Sequence, residues 1–351
     1  MDSEADRIRP GEELDEQALF DYLRPRLPAC SGLEITQFPA GSSNLTYLIK
    51  CDAEEFVLRR PPFGNVVKTA HDMRREFEVL SKLGPVYAAA PKPFLFCDDA
   101  SVIGSEFYLM ERRRGVIIRG RSPEPLINSS ELQHAVCHSF VKNLADLHAL
   151  DYAAAGLGDL GHPGGYCRRQ VEGWTKRYIA AKTDEHAELE NASTWLGQNI
   201  PTESGAALVH NDYKFDNIML DPRDLTKVTA VLDWEMVTIG DPLMDLGTTL
   251  GYWMSPDAGR EIIGMPFNPR VLMENITRKE LVEMYEQASG RDALDMLFYY
   301  VFGTFKIAVI AQQIYARYRK GFTRDPRFAT FDSFVYALGN IASGALDRGS
   351  I

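Results

Sequence analysis

Residues 208–220 read LVHNDYKFDNIML, and this stretch decides how the rest of the chain is interpreted. Apolar, strand-like residues flank a polar centre that holds His210, Asp212, Lys214, Asp216 and Asn217. The pattern predicts a loop held between two short strands, which is where catalytic side chains commonly lie. A polar turn capped by its aspartates is the alternative for any short His-x-Asp sequence, so the wider spacing has to decide.

The wider spacing favours phosphoryl transfer. His210, Asp212 and Asn217 form the pattern H-x-D-x-x-x-x-N. The next apolar run, VTAVLDWE, carries Asp233 near its end. Phosphoryl transfer needs one carboxylate to accept the acceptor's proton, and an amide oxygen with a second carboxylate to hold Mg²⁺. Asp212 is therefore the candidate general base, and Asn217 and Asp233 are the candidate metal ligands.

Composition indicates an ordinary globular protein, long enough for two domains or lobes. The 351 residues are 45% hydrophobic and 25% charged, and the net charge of −11 argues against general nucleic-acid binding. The run LFYYVFGTFKIAVIA is interrupted by Lys306, falls short of a membrane span and predicts a buried helix. The N-terminus lacks the apolar segment of a secretory signal. We expect a soluble, cytoplasmic protein with neither a nucleic-acid nor a membrane partner.

The cysteines point to a reducing compartment. There are five, at wide spacing and without a C-x-x-C pair: Cys30, Cys51, Cys97, Cys137 and Cys167. An odd number in this arrangement argues against both a disulfide framework and a zinc site.

Hydrophobic periodicity divides the chain into two parts of different character. Residues 33–115 predict the order strand-strand-strand-helix-strand-strand. From about residue 130 the sequence is mainly helical, and one helix opens with a capping box of Thr277 and Glu280 and ends at Gly290. We predict an α+β fold with a helical extension at 1–30, a small nucleotide-binding lobe at 31–115, and a mainly helical catalytic and substrate-binding lobe at 116–351.

These stretches together resemble the aminoglycoside phosphotransferase and choline kinase-like family, relatives of the protein kinases. HNDYKFDN resembles the kinase catalytic loop with Asn211 in place of an arginine, LDWE stands where kinases carry D-F-G, and GDPLMDLG is characteristic of the family. GSSNLTYLI, VLRRPP, RREFEVL and RQVEGW are most similar to the kinase-like domains fused to acyl-CoA dehydrogenases. The resemblance implies a two-lobed, protein kinase-like fold that uses ATP and Mg²⁺ to phosphorylate a hydroxyl of a small molecule.

The resemblance also implies roles around the catalytic loop. Lys214 matches a lysine that touches the transferred phosphate, although a solvated loop lysine fits equally well. His210 matches a residue that orders the loop, and Asp245 matches one that braces it through backbone hydrogen bonds. Asp216 is expected to cap or to bond locally, and Asp241 is expected to cap a helix.

The nucleotide-binding residues are implied by the same resemblance. Arg59 stands where the family has a lysine for the α- and β-phosphates, and Glu76 matches that cation's acidic partner. The turn that covers the phosphates contains three candidate contacts: Ser42, Ser43 and Asn44. Three hinge residues are expected to meet the adenine mainly through their backbone, which leaves both ATP and GTP open: Met110, Glu111 and Arg112.

The acceptor is expected to be an anion. Relatives that modify polycationic antibiotics need carboxylates around the acceptor, whereas two helical segments here gather cations interleaved with aromatic residues. The cations are Arg168, Arg169, Lys176 and Arg177 in the first segment, and Lys306, Arg317, Arg319, Lys320, Arg324 and Arg327 in the second. A small hydroxylated anion such as a hydroxyacyl thioester suits them, and a solvated helix face is an equally good interpretation.

Two other classes of protein are alternatives. An inactive nucleotide-binding scaffold, or pseudokinase, is suggested by Arg59 in place of lysine, although a scaffold does not need Asp212, Asn217 and Asp233 together. A metal-dependent hydrolase could use His210, but such motifs usually cluster several histidines. The sequence sets no oligomeric state.

Overall fold

The computed structural model describes residues 5–27, 30–38, 44–63, 72–120, 122–254, 262, 265, 269–293, 295–323 and 326–351. The chain divides into two compact units. The first comprises Met1–Ile117, Met219–Asp224 and Val228–Glu235, and the second comprises Ile118–Ile218, Leu225–Lys227 and Met236–Ile351. The boundary predicted after residue 115 is close to the division after Ile117. The segment with Asp233, predicted in the larger lobe, belongs to the first unit.

A five-stranded antiparallel sheet forms the centre of the first unit. Its strands are β1 (Leu33–Gln37), β2 (Leu45–Cys51), β3 (Glu54–Arg60), β4 (Pro93–Cys97) and β5 (Phe107–Glu111), in the order β1-β2-β3-β5-β4. Helix α2 (Met73–Leu83) follows β3, and the short α3 (Ala100–Ile103) joins β4 to β5. Alternate residues of β2, from Tyr47 to Ile49 to Cys51, enter one apolar cluster, as the two-residue period of a strand requires.

The predicted N-terminal extension is part of the first unit. Helix α1 (Glu16–Leu23) buries Leu19 and Leu23 completely, and both belong to the apolar cluster that contains Tyr47 of the sheet. Residues 5–27 therefore have no separate core.

The expectation that the cysteines are unpaired is wrong for two of them, because Cys30 and Cys51 form a disulfide. Their Cα atoms are 4.8 Å apart although 21 positions separate them along the chain. The antiparallel pairing of β1 with β2 sets Leu33 opposite Cys51 and so brings the preceding Cys30 within reach. Spacing along the chain is therefore a poor guide to distance wherever strands fold back on each other.

Helices dominate the second unit. Those before the catalytic loop are α4 (Glu124–Ile127), α5 (Ser130–His148), α6 (Tyr166–Ala181) and α7 (Ala187–Gln198). Those after it are α8 (Pro242–Tyr252), α9 (Arg270–Met273), α10 (Arg278–Ser289), α11 (Leu297–Arg319) and α12 (Phe331–Arg348). Strand β6 (Ala207–Val209) pairs with β9 (Thr238–Gly240) in this unit. Strand β7 (Ile218–Asp221) pairs with β8 (Asp224–Val231), and most of that pair belongs to the first unit. The predicted capping box opens α10, and Gly290 ends that helix in the left-handed conformation.

The long helix α11 lies in the interior of the second unit, as its sequence predicts. It is the one helix within the described ranges that is long and apolar enough to cross a membrane. However, 78% of its apolar window is buried inside the protein, and the core helix of a globular protein passes the same test. Phe302, Phe305 and Val309 are among its buried residues.

Glycines allow α8 and α11 to pack backbone against backbone. A Cβ added at Gly303 would overlap the carbonyl of Gly247, and one added at Gly247 would overlap the carbonyl of Tyr299. A backbone carbonyl cannot swing away as a flexible side chain can, so the two helices would have to separate. Because α8 carries residues that hold the catalytic loop, this contact also supports the site.

We expect Gly303→Ala to lower the free energy of unfolding by about 2 kcal/mol or more, since overpacking a rigid contact is costly. The measurement is the urea unfolding midpoint followed by circular dichroism. Gly197→Ala in α7 is the control, because a Cβ there meets nothing within 4 Å. That control should be neutral or stabilising, and equal destabilisation by the two variants would contradict the packing argument.

Candidate active site

The polar stretch forms a loop between two strands, as predicted. Strand β6 ends at Val209, a short 3-10 helix spans Phe215–Asn217, and β7 begins at Ile218. His210 is fully buried and Asn211 nearly so, so the loop starts in the interior of the second unit.

The carboxylate of Asp212 is held by three neighbouring side chains. Its Oδ1 accepts a hydrogen bond from the Tyr252 hydroxyl at 2.8 Å. Its Oδ2 accepts hydrogen bonds from Lys214 Nζ at 2.6 Å and from Asn217 Nδ2 at 2.8 Å. The structure therefore brings the predicted base, the predicted lysine and one predicted metal ligand together. It adds Tyr252, which the sequence analysis missed although Tyr252 lies in the stretch GDPLMDLGTTLGYW, residues 240–253.

Lys214 and Tyr252 keep their protons near neutral pH. Burial lowers the pKa of Lys214, but the charge and hydrogen bond of Asp212, together with Tyr252 and Asp216, outweigh burial, so the net shift is upward. Burial, reinforced by Asp212, raises the pKa of Tyr252 above its ordinary value. Lys214 is only 16% exposed at its side chain and lies over the Tyr252 ring. The interpretation of Lys214 as a solvated loop residue is therefore wrong, while its contact with phosphate stays a prediction.

The buried carboxylate of Asp245 braces the loop through its backbone, as predicted. Its Oδ2 accepts the His210 N–H and its Oδ1 accepts the Asn211 N–H, both at 2.7 Å. His148 Nε2 also lies 3.1 Å from Oδ2. Burial alone would raise the pKa of Asp245, but the hydrogen bonds and nearby His148 and His210 hold it below its ordinary value. Asp245 is therefore an anion that organises the loop.

The other polar residues of the region have structural contacts. The ring of His210 accepts a hydrogen bond at Nδ1 from the Asp212 backbone N–H at 3.3 Å, which fits its predicted ordering role. Asp241 caps α8, as predicted, by accepting a hydrogen bond from the Leu243 N–H. Asp216 was expected to cap or bond locally, but it forms an ion pair with Arg119, far away in sequence.

In the first unit, Arg59 links two carboxylates. Its Nη1 lies 3.2 Å from Glu76 Oε1, and its Nη2 lies 2.9 Å from Asp233 Oδ1. The predicted ion pair with Glu76 is present, and Arg60 turns to the opposite face of β3, where it bonds the Ile103 carbonyl. Burial and the nearby Asp233 raise the pKa of Glu76, against the opposing effect of Arg59. Burial lowers the pKa of Arg59, but the surrounding acids raise it more, so Arg59 stays charged.

The predicted phosphate turn lies largely outside the described residues, which exclude Ser42 and Ser43. Asn44 is described and buried, and its Nδ2 donates to Glu235 Oε2 at 2.8 Å. The amide of Asn44 is thus already engaged with a side chain of the same unit, a contact that the sequence analysis did not foresee.

The predicted hinge residues end β5 and begin the following segment. Met110 pairs with Val57 in the sheet, and Arg112 forms an ion pair with Glu55. The Glu111 N–H donates to the Lys92 carbonyl at 2.8 Å, so this N–H is engaged within the sheet. Contact of the hinge with adenine stays a prediction.

The two predicted metal ligands belong to different units, Asn217 to the second and Asp233 to the first. Asn217 donates to Asp212 through Nδ2. These hydrogen bonds do not use the side-chain oxygen of Asn217, which is the atom that would bind a metal. Asp233 has a left-handed backbone and a side chain that is 30% exposed. Among the described residues there is no group of three or more His, Cys, Asp or Glu side chains that could hold a metal ion, which is the kind of cluster a metal-dependent hydrolase would need.

The cations expected to bind an anionic acceptor have different environments. Lys306 is buried, Arg169 donates to the carbonyls of His162 and Gly164, and Arg319 lies 3.8 Å from Asp184. Arg324 lies outside the described residues. The remaining cations of the two segments are exposed: Arg168, Lys176, Arg177, Arg317, Lys320 and Arg327. Lys306, Arg169 and Arg319 thus have partners within the protein, and the exposed cations are the candidates for contact with an anion.

The sequence model of the phosphotransferase enzyme family, which includes the aminoglycoside phosphotransferases, matches residues 34–290. The chain belongs to this family. The rat protein named acyl-CoA dehydrogenase family member 11 is 36% identical over 325 residues, which cover 90% of this chain and 41% of the rat protein. The chain thus spans about two fifths of the length of this relative.

Solved structures show the same fold. A Ralstonia eutropha protein assigned to the aminoglycoside phosphotransferases has a TM-score of 0.78 and 30% identity, covering 96% of this chain and 99% of that one. A thermostable mutant of the aminoglycoside phosphotransferase APH(4)-Ia, in a ternary complex with AMP-PNP and hygromycin B, has a TM-score of 0.60 and 13% identity, covering 93% and 98%. The predicted α+β, kinase-like fold of this phosphotransferase is confirmed, and so is its resemblance to the domains of acyl-CoA dehydrogenase relatives.

We expect Arg59→Ala to weaken MgATP binding by about 10- to 100-fold, the loss that follows removal of a charged hydrogen bond. Arg59→Lys should keep part of the affinity because it keeps the charge. Titration calorimetry measures both, with unfolding followed in parallel because two acids lose their cation. Arg60→Ala is the control, since that neighbouring buried arginine faces away from Glu76. Unchanged affinity in Arg59→Ala would show that another cation serves the phosphates.

Proposed function

We propose that this phosphotransferase is an ATP-dependent small-molecule kinase that moves the γ-phosphate of ATP to a hydroxyl group. The observation that carries the proposal is the fixed carboxylate of Asp212, held by Tyr252, Lys214 and Asn217 on a loop braced by Asp245. A general base must be fixed in direction and must remain in reach of its substrate. Asp212 combines both, because its side chain is bonded on each oxygen and is still 14% exposed.

The nucleotide side of the proposal rests on Arg59 and Asp233. Buried Arg59 Nε has no hydrogen-bond partner among the described residues, so it can donate to a phosphate oxygen. The donors that Mg²⁺ prefers are hard oxygens, which the Asp233 carboxylate and the Asn217 amide can supply. Bound magnesium would neutralise charge on the phosphates. The AMP-PNP complex of the distant fold neighbour supports ATP as the nucleotide.

The chain's own residues then divide the work of the transfer. Asp212 orients the acceptor hydroxyl and takes its proton as the oxygen attacks. Lys214 stays charged beside Asp212 and can stabilise negative charge on the transferred group. Tyr252 and Asn217 prevent the carboxylate of Asp212 from rotating, so the base stays oriented toward the acceptor hydroxyl.

We expect Asp212→Asn to lower phosphoryl transfer by about 10²- to 10⁴-fold, the usual loss when a positioned base is removed. Fold and MgATP binding should be retained, because asparagine has the same shape. The assay is ADP release across hydroxylated metabolites: hydroxyacyl thioesters, choline-like alcohols, sugars and aminoglycosides. Asp98→Asn, at an exposed ion pair in the first unit, is the matched control. Wild-type turnover by Asp212→Asn would remove the base assignment, and no ADP release with any acceptor would favour the pseudokinase alternative.

The acceptor that we propose is a small anion, for example a hydroxyacyl thioester. Arg177 lies on α6 with its guanidinium 4.5 Å from the ring centroid of Trp174. No carboxylate pairs with Arg177 within the described ranges, and its side chain is exposed, so it is available to an anion. An arginine on an aromatic face suits a carboxylate or phosphate attached to an apolar body. The name of the acyl-CoA dehydrogenase relative supports thioester chemistry.

We expect Arg177→Ala to raise the KM for an anionic acceptor by about tenfold or more, the loss that follows removal of one charged contact, with the KM for ATP unchanged. Lys176→Ala is the control, because it removes an exposed charge at the next position of the same helix. Steady-state kinetics with hydroxy acids and their thioesters measure both. Equal effects of the two variants would overturn the role of Arg177. Efficient phosphorylation of kanamycin-like acceptors without activity on any anionic alcohol would overturn the acceptor class.

A further inference from the structure

Lys306 is a buried cation that donates a hydrogen bond to the backbone of the catalytic loop. It lies in the middle of α11, it is 1% exposed, and its Nζ donates to the backbone carbonyl of Asn211. The same Nζ is 5.6 Å from the ring centroid of Trp174. No carboxylate lies within ion-pair distance of Lys306 in the described parts of the chain. Burying an ammonium group without a carboxylate is costly, and such groups are kept where they have a function.

The carbonyl that Lys306 holds belongs to the peptide leading into Asp212. Asn211 has a φ of 67°, a left-handed conformation that is unfavourable for most residues with a side chain and that asparagine tolerates better than most. Its N–H donates to Asp245, and its side-chain oxygen accepts from the Tyr166 hydroxyl. Its side-chain nitrogen donates to the Met236 carbonyl. Lys306 of α11 donates to the carbonyl of Asn211, which is the other polar backbone group of this residue.

We propose that Lys306 is a positioning residue for phosphoryl transfer, which holds the Asn211–Asp212 peptide in its left-handed turn and aims the Asp212 carboxylate while its own ammonium is charged. The proposal rests on the proposed kinase function. Lys306 acts through Asn211 and does not touch the reacting groups. Its charge matters because an ammonium donates a stronger hydrogen bond to a carbonyl than a neutral amine does.

The charge of Lys306 is set by burial and by the loop around it. Burial lowers the pKa of Lys306 to about 8. Asp212 of the loop and Asp245 of α8 oppose this, whereas Lys214 of the loop and Arg177 of α6 add to it. These are the strongest charge effects on Lys306, and none comes from α7 or α12, the other helices that pack against α11. Lys306 therefore loses its proton at a pH only slightly above neutral.

Activity and stability should respond to this deprotonation in opposite directions. The folded chain releases the Lys306 proton near pH 8, whereas the unfolded chain releases it near the ordinary value of 10.5. Between those values the unfolded chain binds more protons, so the contribution of Lys306 to stability increases with pH. The activity should decrease over the same range, because the neutral amine holds the Asn211 carbonyl less firmly. A merely structural lysine would not produce this divergence.

The kinetic test compares Lys306→Met, which removes the charge, with Lys306→Arg, which keeps it. The probe is ADP formation from MgATP by the full chain, without an acceptor and with the best acceptor of the screen. We expect wild-type kcat to fall through about pH 8 with the KM for ATP unchanged. Lys306→Met should lower kcat about tenfold or more at pH 7, equivalent to one hydrogen bond, and should lose the pH dependence. Lys306→Arg should have a kcat close to that of the wild-type chain at pH 7. Its kcat should decrease only at a higher pH than in the wild-type chain.

Gln312→Met is the matched control. Gln312 is buried on the same helix, but its Nε2 donates to the Ala181 carbonyl and to Thr183, away from the loop. This variant should lose stability and keep both kcat and its pH profile. A loss of kcat in Gln312→Met equal to that in Lys306→Met would overturn the proposal, and so would a wild-type pH profile in Lys306→Met.

A second measurement decides the role of Lys306 without turnover. In a chain labelled with ¹⁵N-aspartate, the amide resonance of Asp212 should shift with a midpoint near pH 8, and Lys306→Met should abolish that shift. An Asp212 amide that does not respond near this pH in the wild-type chain would overturn the proposal. If phosphate is transferred neither to any acceptor nor to water, the proposed kinase function is wrong. The amide titration would still decide whether Lys306 controls the loop.

Discussion

The catalytic loop depends on one buried carboxylate, that of Asp245. It accepts the backbone N–H groups of His210 and Asn211 and lies against His148, all in the interior of the second unit. Without it two buried donors would be unpaired, each at a cost of about 1–3 kcal/mol. Asp245 lies in the first turn of α8; burial raises its pKa, but its hydrogen bonds and the nearby His148 and His210 hold that pKa below the ordinary value. The helix thus supplies the position of this carboxylate, and the histidines and N–H groups around it supply its ionisation state.

Backbone strain occurs at two points of the candidate site. Asn211, before the proposed base, and Asp233, a proposed metal ligand, both have a positive φ of close to 70°. Asparagine and aspartate tolerate this conformation better than other residues with side chains, which explains the residue types at these positions. In each unit a cation fixes the strained segment, Lys306 at the Asn211 carbonyl and Arg59 at the Asp233 carboxylate. Both left-handed residues of the candidate site are thus held by a buried, charged side chain.

Local patterns predicted the loop between strands, the helix caps, and the pair of Arg59 with Glu76, because each depends on residue type at a fixed short spacing or on a family motif. Contacts between distant segments could not be predicted in that way. Tyr252 and Lys306 reach the loop across 40 and 95 positions of sequence, and Asn44 reaches Glu235 across 191. Their partners are set by how helices and strands pack, which periodicity does not encode. The disulfide was missed for the same reason, since the return of an antiparallel strand brings its cysteines together.

The arginine that replaces the family's lysine at position 59 is better explained by geometry than by loss of function. A lysine has one nitrogen, whereas the guanidinium of Arg59 presents Nη1 to Glu76 and Nη2 to Asp233 at the same time. Its Nε remains as a third donor, buried and without a partner within the described ranges. Two carboxylates, one of them buried, and a phosphate could therefore share a single planar cation. An unpaired buried N–H costs stability, so a third donor without a partner is explained by a ligand that accepts from it. The substitution thus favours a phosphate-binding role for Arg59, which an active kinase and a nucleotide-binding scaffold would share.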